Sequence, residues 1–175
     1  MSQRALLALQ DRFGDAVLET GSSCGDEWAV VDPLMVDQIC RFLRDEPSLK
    51  FELLIDITAV DYLGYAAART ARERFEVVIH LASLEHGWRL RLKLRPGDAE
   101  HPAVKSLTAI YRIANWMERE VWDLYGIEFI GHPDRVRGAG TIRRLLLYEE
   151  FEGHPLRKDY PIDGRQPLPK RPERP

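Results

Sequence analysis

Three acids close together, Glu118, Glu120 and Asp123, are the nearest the sequence comes to an acid–base set. The surrounding stretch reads as a helix. On it Glu118 and Glu120 point to different sides, and Arg119 and Asp123 stand at the i, i+4 spacing of a stabilising ion pair. Asn115 can cap that helix, and Glu118, three positions on, can reach back to complete a capping box. Glu118 and Asp123 therefore have structural duties already, and the structural reading of the group is favoured. The five histidines are His80, His86, His101, His132 and His154. None falls in a His-x-x-x-His pair or beside a cysteine pair, the spacings that hold zinc. His132 and His154 each occur as Gly-His-Pro. Glycine admits unusual dihedrals there and proline forces the preceding residue out of the helical region, so both read as rigid turns. Cys24 and Cys40 form no Cys-x-x-Cys and read as free thiols, Cys40 on a buried helix face. No serine lies in a Gly-x-Ser-x-Gly elbow. No phosphate-cradling glycine motif is present, and Gly138-Ala139-Gly140 reads as a short flexible loop.

Composition points the same way. A chain of 175 residues is one domain, or one domain with an appendage. With 45% hydrophobic and 30% charged residues it can bury a real core. Lys plus Arg is 25 against 28 Asp plus Glu, a formal charge of −3. A general nucleic-acid binder needs a basic excess to neutralise phosphates, so that class is disfavoured. The longest apolar run, Ala5–Leu9, is far short of the roughly 20 residues that span a bilayer. The start, Met1-Ser2-Gln3-Arg4, lacks the apolar stretch of an export signal, which predicts that the chain stays where it is made.

The elements that must position these residues follow from periodicity. Leu6, Leu9 and Phe13 recur at helical spacing over residues 2–13, and Gly14 stops the run. A short strand at Val17–Glu19, a polar loop Gly21–Gly25 and a strand Trp28–Val31 follow. Asp32-Pro33 starts a second helix with the stripe Val36, Ile39, Cys40 and Leu43, and Pro47 marks its exit. Three strands then alternate with period two. Phe51–Ala59 carries Phe51, Leu53, Ile55, Ile57 and Ala59 on one face. Phe75–Leu81 and Trp88–Leu94 make a hairpin through Glu85-His86-Gly87. The order helix-strand-strand-helix-strand-strand-strand predicts an α+β two-layer sandwich with a mixed, largely antiparallel sheet. Arg89, Arg91, Lys93 and Arg95 fall on its outer face beside Glu52, Asp56 and Glu76, which can solvate them. A short helix is expected near Val104–Ile110. A stronger one follows from Asn115, with Met117, Val121, Leu124 and Tyr125 on one face and Gly126 ending it.

The expected organisation is thus an α+β domain at 1–113, a motif helix at 114–126 and an extended arm at 127–175. Six of the 11 prolines fall in the final 21 residues, at 155, 161, 167, 169, 172 and 175. A proline-rich charged segment cannot build its own core. It nonetheless carries Leu145, Leu146, Leu147, Tyr148, Phe151, Leu156 and Tyr160 among its arginines. An extended strip with such anchors is expected to lie on another protein.

Glu118-Arg119-Glu120-Val121-Trp122-Asp123-Leu124-Tyr125-Gly126-Ile127, then Phe129 and Gly131-His132-Pro133-Asp134, resembles the hallmark of the 30-kilodalton subunit family of NADH–quinone oxidoreductase (respiratory complex I). Arg143-Arg144-Leu145-Leu146 and Gly153-His154-Pro155-Leu156-Arg157-Lys158-Asp159-Tyr160-Pro161 resemble the second block of that family, in the same order. Arg135–Thr141 departs from the family pattern and reads as a surface-loop insertion. The resemblance implies a non-catalytic subunit of the peripheral arm, on the cytoplasmic side of the cell inner membrane (the matrix side if organellar) and reaching the membrane only through its complex. It implies no cofactor in this chain, with FMN, iron–sulfur clusters and quinone in partner subunits. It also implies packing against the 49-kilodalton subunit and other peripheral-arm subunits. On that basis Glu118, Arg119, Glu120, Trp122, Asp123, Tyr125, His132, Arg143, Arg144, His154, Arg157, Lys158, Asp159 and Tyr160 are expected at a subunit interface. Trp116, Trp122 and Tyr125 would be anchors. Arg143, Arg144, Arg157 and Lys158 would pair with partner carboxylates, and Pro155 and Pro161 would hold the arm extended. The alternative within the family is the equivalent subunit of a membrane-bound nickel–iron hydrogenase or of a complex with another electron donor. Outside it, a free-standing soluble enzyme would need activity from the isolated chain.

Overall fold

The computed structural model describes residues 2–65, 73–136, 141–164 and 166. Gly138-Ala139-Gly140 and the prolines from 167 onward lie outside the described residues. Helix α1 (Gln3–Phe13) leads into strands β1 (Val17–Ser23) and β2 (Asp26–Val31), then helix α2 (Val36–Asp45). Strands β3 (Leu53–Asp61), β4 (Phe75–Ser83) and β5 (Trp88–Leu94) complete a sheet of order β1-β2-β5-β4-β3. Only the β2–β5 pairing is parallel. Strand β6 (Ala103–Lys105), helix α3 (Ala114–Tyr125) and strand β7 (Glu128–Ile130) follow, and β6 and β7 form a separate parallel pair. The expected element order and α+β sandwich are observed.

Register explains the core. Val77, Ile79 and Leu81 of β4 stand opposite Leu94, Leu92 and Leu90 of β5, and Ala29 and Val31 of β2 stand beside Leu92 and Leu94. This row meets Leu6 and Leu9 of α1, Ile39, Cys40 and Leu43 of α2, and Val121 of α3 in one buried cluster. The other face of the sheet is charged. Lys93 and Arg95 lie 3.3 and 3.8 Å from Glu76, Arg95 also reaches Glu19 at 2.8 Å, and Arg91 lies 3.6 Å from Asp26. Arg91, Lys93 and Arg95 are therefore paired within their own sheet, through Glu19, Asp26 and, of the anticipated acids, Glu76.

Several local expectations are corrected. The alternation of β3 breaks at a β-bulge between Leu54 and Asp56. Leu54 is buried while Leu53 and Ile55 are each 41% exposed, and the inward phase resumes at Ile57 and Ala59. One extra residue inverts the faces of everything before it. Gly21, Ser22 and Ser23 belong to β1 rather than to a loop, and only Cys24-Gly25 turns. Gly21 pairs with Trp28 and lies against its ring, where any Cβ would collide. Asp32 accepts the Leu34 amide at 2.8 Å in a turn, and α2 starts four residues later at Val36. Val104 and Lys105 are strand, because β7 supplies their ladder, and only one turn at Leu107–Tyr111 is helix-like. The β6–β7 pair also spans the expected boundaries at 113/114 and 126/127.

The bulge makes a direct prediction. Ile57→Ala empties a sealed site and should cost about 2–5 kcal/mol in urea unfolding, whereas Ile55→Ala should cost under about 1. Equal losses would contradict the register.

Candidate functional site: an acid-lined helix clasped by the arm

Helix α3 buries charge as well as hydrocarbon. Ala114, Glu118, Arg119, Val121 and Asp123 are its buried residues. Asn115 does not cap it: the N-cap position is Ile113 without a side-chain bond, and Asn115 donates to Asp134 at 3.2 Å. Nor does Glu118 reach back. Its carboxylate accepts Leu107 N–H at 2.6 Å and the Ser106 hydroxyl at 2.7 Å, tying down the preceding loop. The capping box fails because the better donors lie across space, in a loop that β6 carries past the helix.

Arg119 and Asp123 do not pair either. Each is committed to the arm. Arg119 donates to the carbonyls of Arg143 and Arg144 at 3.1 and 2.8 Å. Asp123 Oδ2 accepts three successive amides, Leu145, Leu146 and Leu147, at 3.1, 2.7 and 2.9 Å. Its Oδ1 takes the Arg144 guanidinium at 2.7 Å. Arg144 then reaches on to the carbonyls of Phe151 and Gly153 at 2.7 and 3.1 Å. Burial alone pushes the Asp123 carboxyl up, but the three amides and the guanidinium together outweigh it and hold the carboxyl below its usual range.

The second motif block closes the C-terminal end of the same helix. A helix leaves its last carbonyls without intrahelical donors. Here Asp123 O accepts His154 Nδ1–H at 3.0 Å, and Leu124 O accepts Leu156 N–H at 3.0 Å. Tyr125 O and Gly126 O accept Arg157 at 2.6 and 3.4 Å. Gly126 turns left-handed at φ 69°, and its amide returns to Trp122 O at 2.8 Å. A Cβ there would run into the His154 ring and Arg157. Arg157 also lies over the Phe75 ring, 5.1 Å from its centre, with Arg74 at 4.7 Å. Trp122 meets His154 edge-on at 5.2 Å. Burial lowers the pKa of both His132 and His154, which favours neutral rings. His132 accepts Asp134 N–H at 3.0 Å and lies 3.2 Å from Asn115 O.

The arm's next residues dock on the sheet. Lys158 N–H donates to Asp61 at 2.9 Å, and Arg74 bridges Asp61 and Asp159 at 3.0 and 2.8 Å. Burial raises the Asp61 carboxyl, yet Arg74 and the Lys158 and Leu63 amides bring it below its usual range. Tyr160 stacks on Phe151 at 6.1 Å. Sequence reasoning missed Asp61, Arg74, Phe75 and Ser106. Asp61 was legible: it continues the inward phase of Ile57 and Ala59, so it is an acid placed where the pattern demands an apolar residue.

The interface expectations divide accordingly. Glu118, Arg119, Asp123 and His132 are sealed inside the chain. Arg144, His154 and Arg157 make bonds within the chain. Tyr125 is half-buried. Trp116 is 60% exposed and packs on Arg119 rather than in the core. Glu120, Arg143, Lys158 and Asp159 remain exposed. Between 141 and 164 much of the strip expected to meet a neighbour lies on its own helix. Among the described residues no cluster of three or more His, Cys, Asp or Glu could hold a metal. Nor is any helix among them long and apolar enough to cross a membrane.

Such a geometry defines an α+β scaffold domain whose last helix is clasped by its own C-terminal segment. The family model described as respiratory-chain NADH dehydrogenase, 30 Kd subunit, matches residues 29–166. The second C-type subunit of the NADH-quinone oxidoreductase of Rhizobium etli (strain CIAT 652) is 43% identical over 89% of this chain and 75% of its own length. The C-type subunit of the same enzyme in Polynucleobacter necessarius subsp. necessarius (strain STIR1) is 47% identical over 94% and 79%. A solved trypsin-resistant fragment of Nqo5 superposes with TM-score 0.63 at 29% identity, covering 77% of this chain and all of that one. A chain of an archaeal membrane-bound sulfane sulfur reductase has the same fold, with TM-score 0.68 at 22% identity over 92% and 86%. The chain belongs to the family of the 30-kDa subunit of respiratory-chain NADH dehydrogenase.

Two variants test the clasp. Asp123→Asn leaves Arg144 without its buried counter-charge and should cost about 3–5 kcal/mol. Because Asp61 and Asp123 titrate below their ordinary value, their contribution is complete above about pH 4 and is lost as pH falls through the folded values. Unfolding midpoints measured between pH 7 and 3 should therefore fall steeply below about pH 4 for the parent and less for Asp123→Asn. Gly126→Ala should free the 141–164 segment, seen as faster proteolysis there with the sheet's amide protection retained. A segment equally resistant in both chains would refute the clasp.

Proposed function

We propose that this chain is a non-catalytic peripheral-arm subunit of a proton-translocating NADH–quinone oxidoreductase. Its task is to hold neighbouring subunits at fixed positions while they pass electrons from NADH to quinone. The clasp carries this reading. The charged residues of both motif blocks are largely engaged in fixing one conformation of helix and arm, which is what a spacer between redox partners needs. Electron tunnelling and quinone chemistry depend on distance, and a rigid shape fixes distance. FMN, iron–sulfur clusters and quinone belong, on this proposal, to other subunits.

The partner is the 49-kilodalton subunit, and the location is the cytoplasmic side of the inner membrane. Ile113 and Trp116 on the outward side of α3 and Leu146 and Leu156 on the arm are exposed at 49, 60, 61 and 46%. Apolar residues held outward by a rigid clasp are suited to meet a partner. The names of the relatives favour the NADH-type complex over a hydrogenase-type one.

The test is to isolate the membrane complex carrying Arg144→Ala or Arg157→Ala. Both should reduce assembled complex and NADH–quinone activity together, roughly in proportion, because each loosens the clasp. Wild-type assembly and activity in both would overturn the reading. The purified chain should be colourless and inactive with NADH.

A further inference from the structure

Two buried carboxylates on α3 are treated very differently by their surroundings. Asp123 has three amides and a guanidinium. Glu118 is wholly enclosed and has one amide and one hydroxyl. No ion pair of Glu118 occurs among the described residues, and no cation acts on it. From α2 it is faced by the buried Cys40 thiol, which burial, then Asp37, then Glu118 push up. The loop before α3 contributes Ser106, Thr108 and Tyr111, whose hydroxyl donates to Phe51 O at 2.7 Å, with Lys105 ahead of them. From β3, crossed by α3, come Ile57 and Ala59, with Asp61 held by Arg74. On its own helix Arg119 is committed to the arm and Asn115 to Asp134. A charge sealed from water without a counter-ion is costly, and the usual remedy is protonation.

The donor hydroxyl does not end a chain. Ser106 Oγ lies 2.8 Å from Thr108 Oγ1, with either atom able to donate, and it also accepts the Thr108 amide at 3.2 Å. Ser106 and Thr108 are both half-buried, so this pair leads outward from the enclosed acid. We propose that Glu118 is a proton-binding site inside the fold, and that its proton exchanges with the surface through the hydroxyls of Ser106 and Thr108.

Both charge states fit the same heavy-atom positions. In the ionised form Thr108 O–H donates to Ser106 Oγ, and Ser106 O–H donates to Glu118 Oε2. To take up a proton, a hydronium ion at the surface gives one to Thr108 Oγ1 and departs as water, Thr108 passes its own to Ser106 Oγ, and Ser106 passes its own to Oε2. Each hydroxyl ends with one hydrogen and reversed direction, and the carboxyl is neutral. Leu107 N–H keeps its acceptor, Oε1, throughout. Burial, set against those two donors, pushes the Glu118 carboxyl up to about 7. Relative to the unfolded chain, Glu118 therefore favours folding fully below about 4.5, and this contribution is lost as pH rises through about 7.

The experiment is an infrared titration of the full chain, with carbon-13 glutamate to mark the band. One enclosed glutamic acid should convert to carboxylate with a midpoint near 7, and the band should be missing in Glu118→Gln. Ser106→Ala removes the hydroxyl donor to the ionised form, so the midpoint should rise by roughly one pH unit. Thr108→Val should slow deuterium exchange of the acid proton several-fold. A carboxyl ionised at every pH down to 5 would sink the proposal. So would a midpoint unmoved by Ser106→Ala, or an exchange rate unmoved by Thr108→Val. Both hydroxyl variants keep Glu118, so the test survives if Glu118→Gln fails to fold.

Discussion

Asp123 is fully buried, and the chain at 144–147 is arranged around its carboxylate. A buried carboxylate with one partner is a liability; with three amides and a guanidinium it becomes a fixed point. The three amides are consecutive, Leu145 to Leu147, so satisfying one side chain sets the path of a whole turn of chain. The guanidinium that neutralises it extends to Phe151 and Gly153 and brings the next segment in. Losing either partner would leave the other charged and enclosed, so each holds the other in place.

The same constraint governs the end of the helix. Its last carbonyls need donors, and the arm supplies His154, Leu156 and Arg157 in sequence order. Helix and arm thereby complete one another: the helix offers acceptors that the arm's irregular backbone and cations can use, and the arm lacks the hydrocarbon to fold without them. This is how the strip between 141 and 164 is held against the helix, with Ile142 in the core. It also leaves Trp116, Leu146 and Leu156 facing outward from a stiff support. Rigidity and display are then one property, consistent with a subunit that spaces others.

Glu118 marks the contrast within one helix. It fastens the loop from β6 through neutral donors only. Where a guanidinium and three amides favour the ionised form of Asp123, Glu118 has only an amide and a hydroxyl, with no cation acting on it. The difference lies in the partners, since both acids are enclosed.

The sheet and its two covering helices were readable from the sequence because they rest on local periodicity. Val77, Ile79 and Leu81 alternate, Val36, Ile39, Cys40 and Leu43 recur at helical spacing, and each pattern needs only its own segment to declare itself. The two motif blocks around α3 and the arm likewise announced the family. What the sequence could not reveal was which charges meet. Arg119 and Asp123 look like an i, i+4 pair, and Asn115 and Glu118 look like a capping box, because local spacing allows both. Tertiary structure overrode them: donors from residues 106–107 and 144–147, and the acceptor carbonyls of Arg143 and Arg144, approach with better geometry than the helix's own side chains offer. The bulge at Leu54–Asp56 was hidden for the same reason, since a strand's phase can slip only against a partner strand. Periodicity belongs to the chain, whereas the pairing of buried charges belongs to the fold that brings distant segments together.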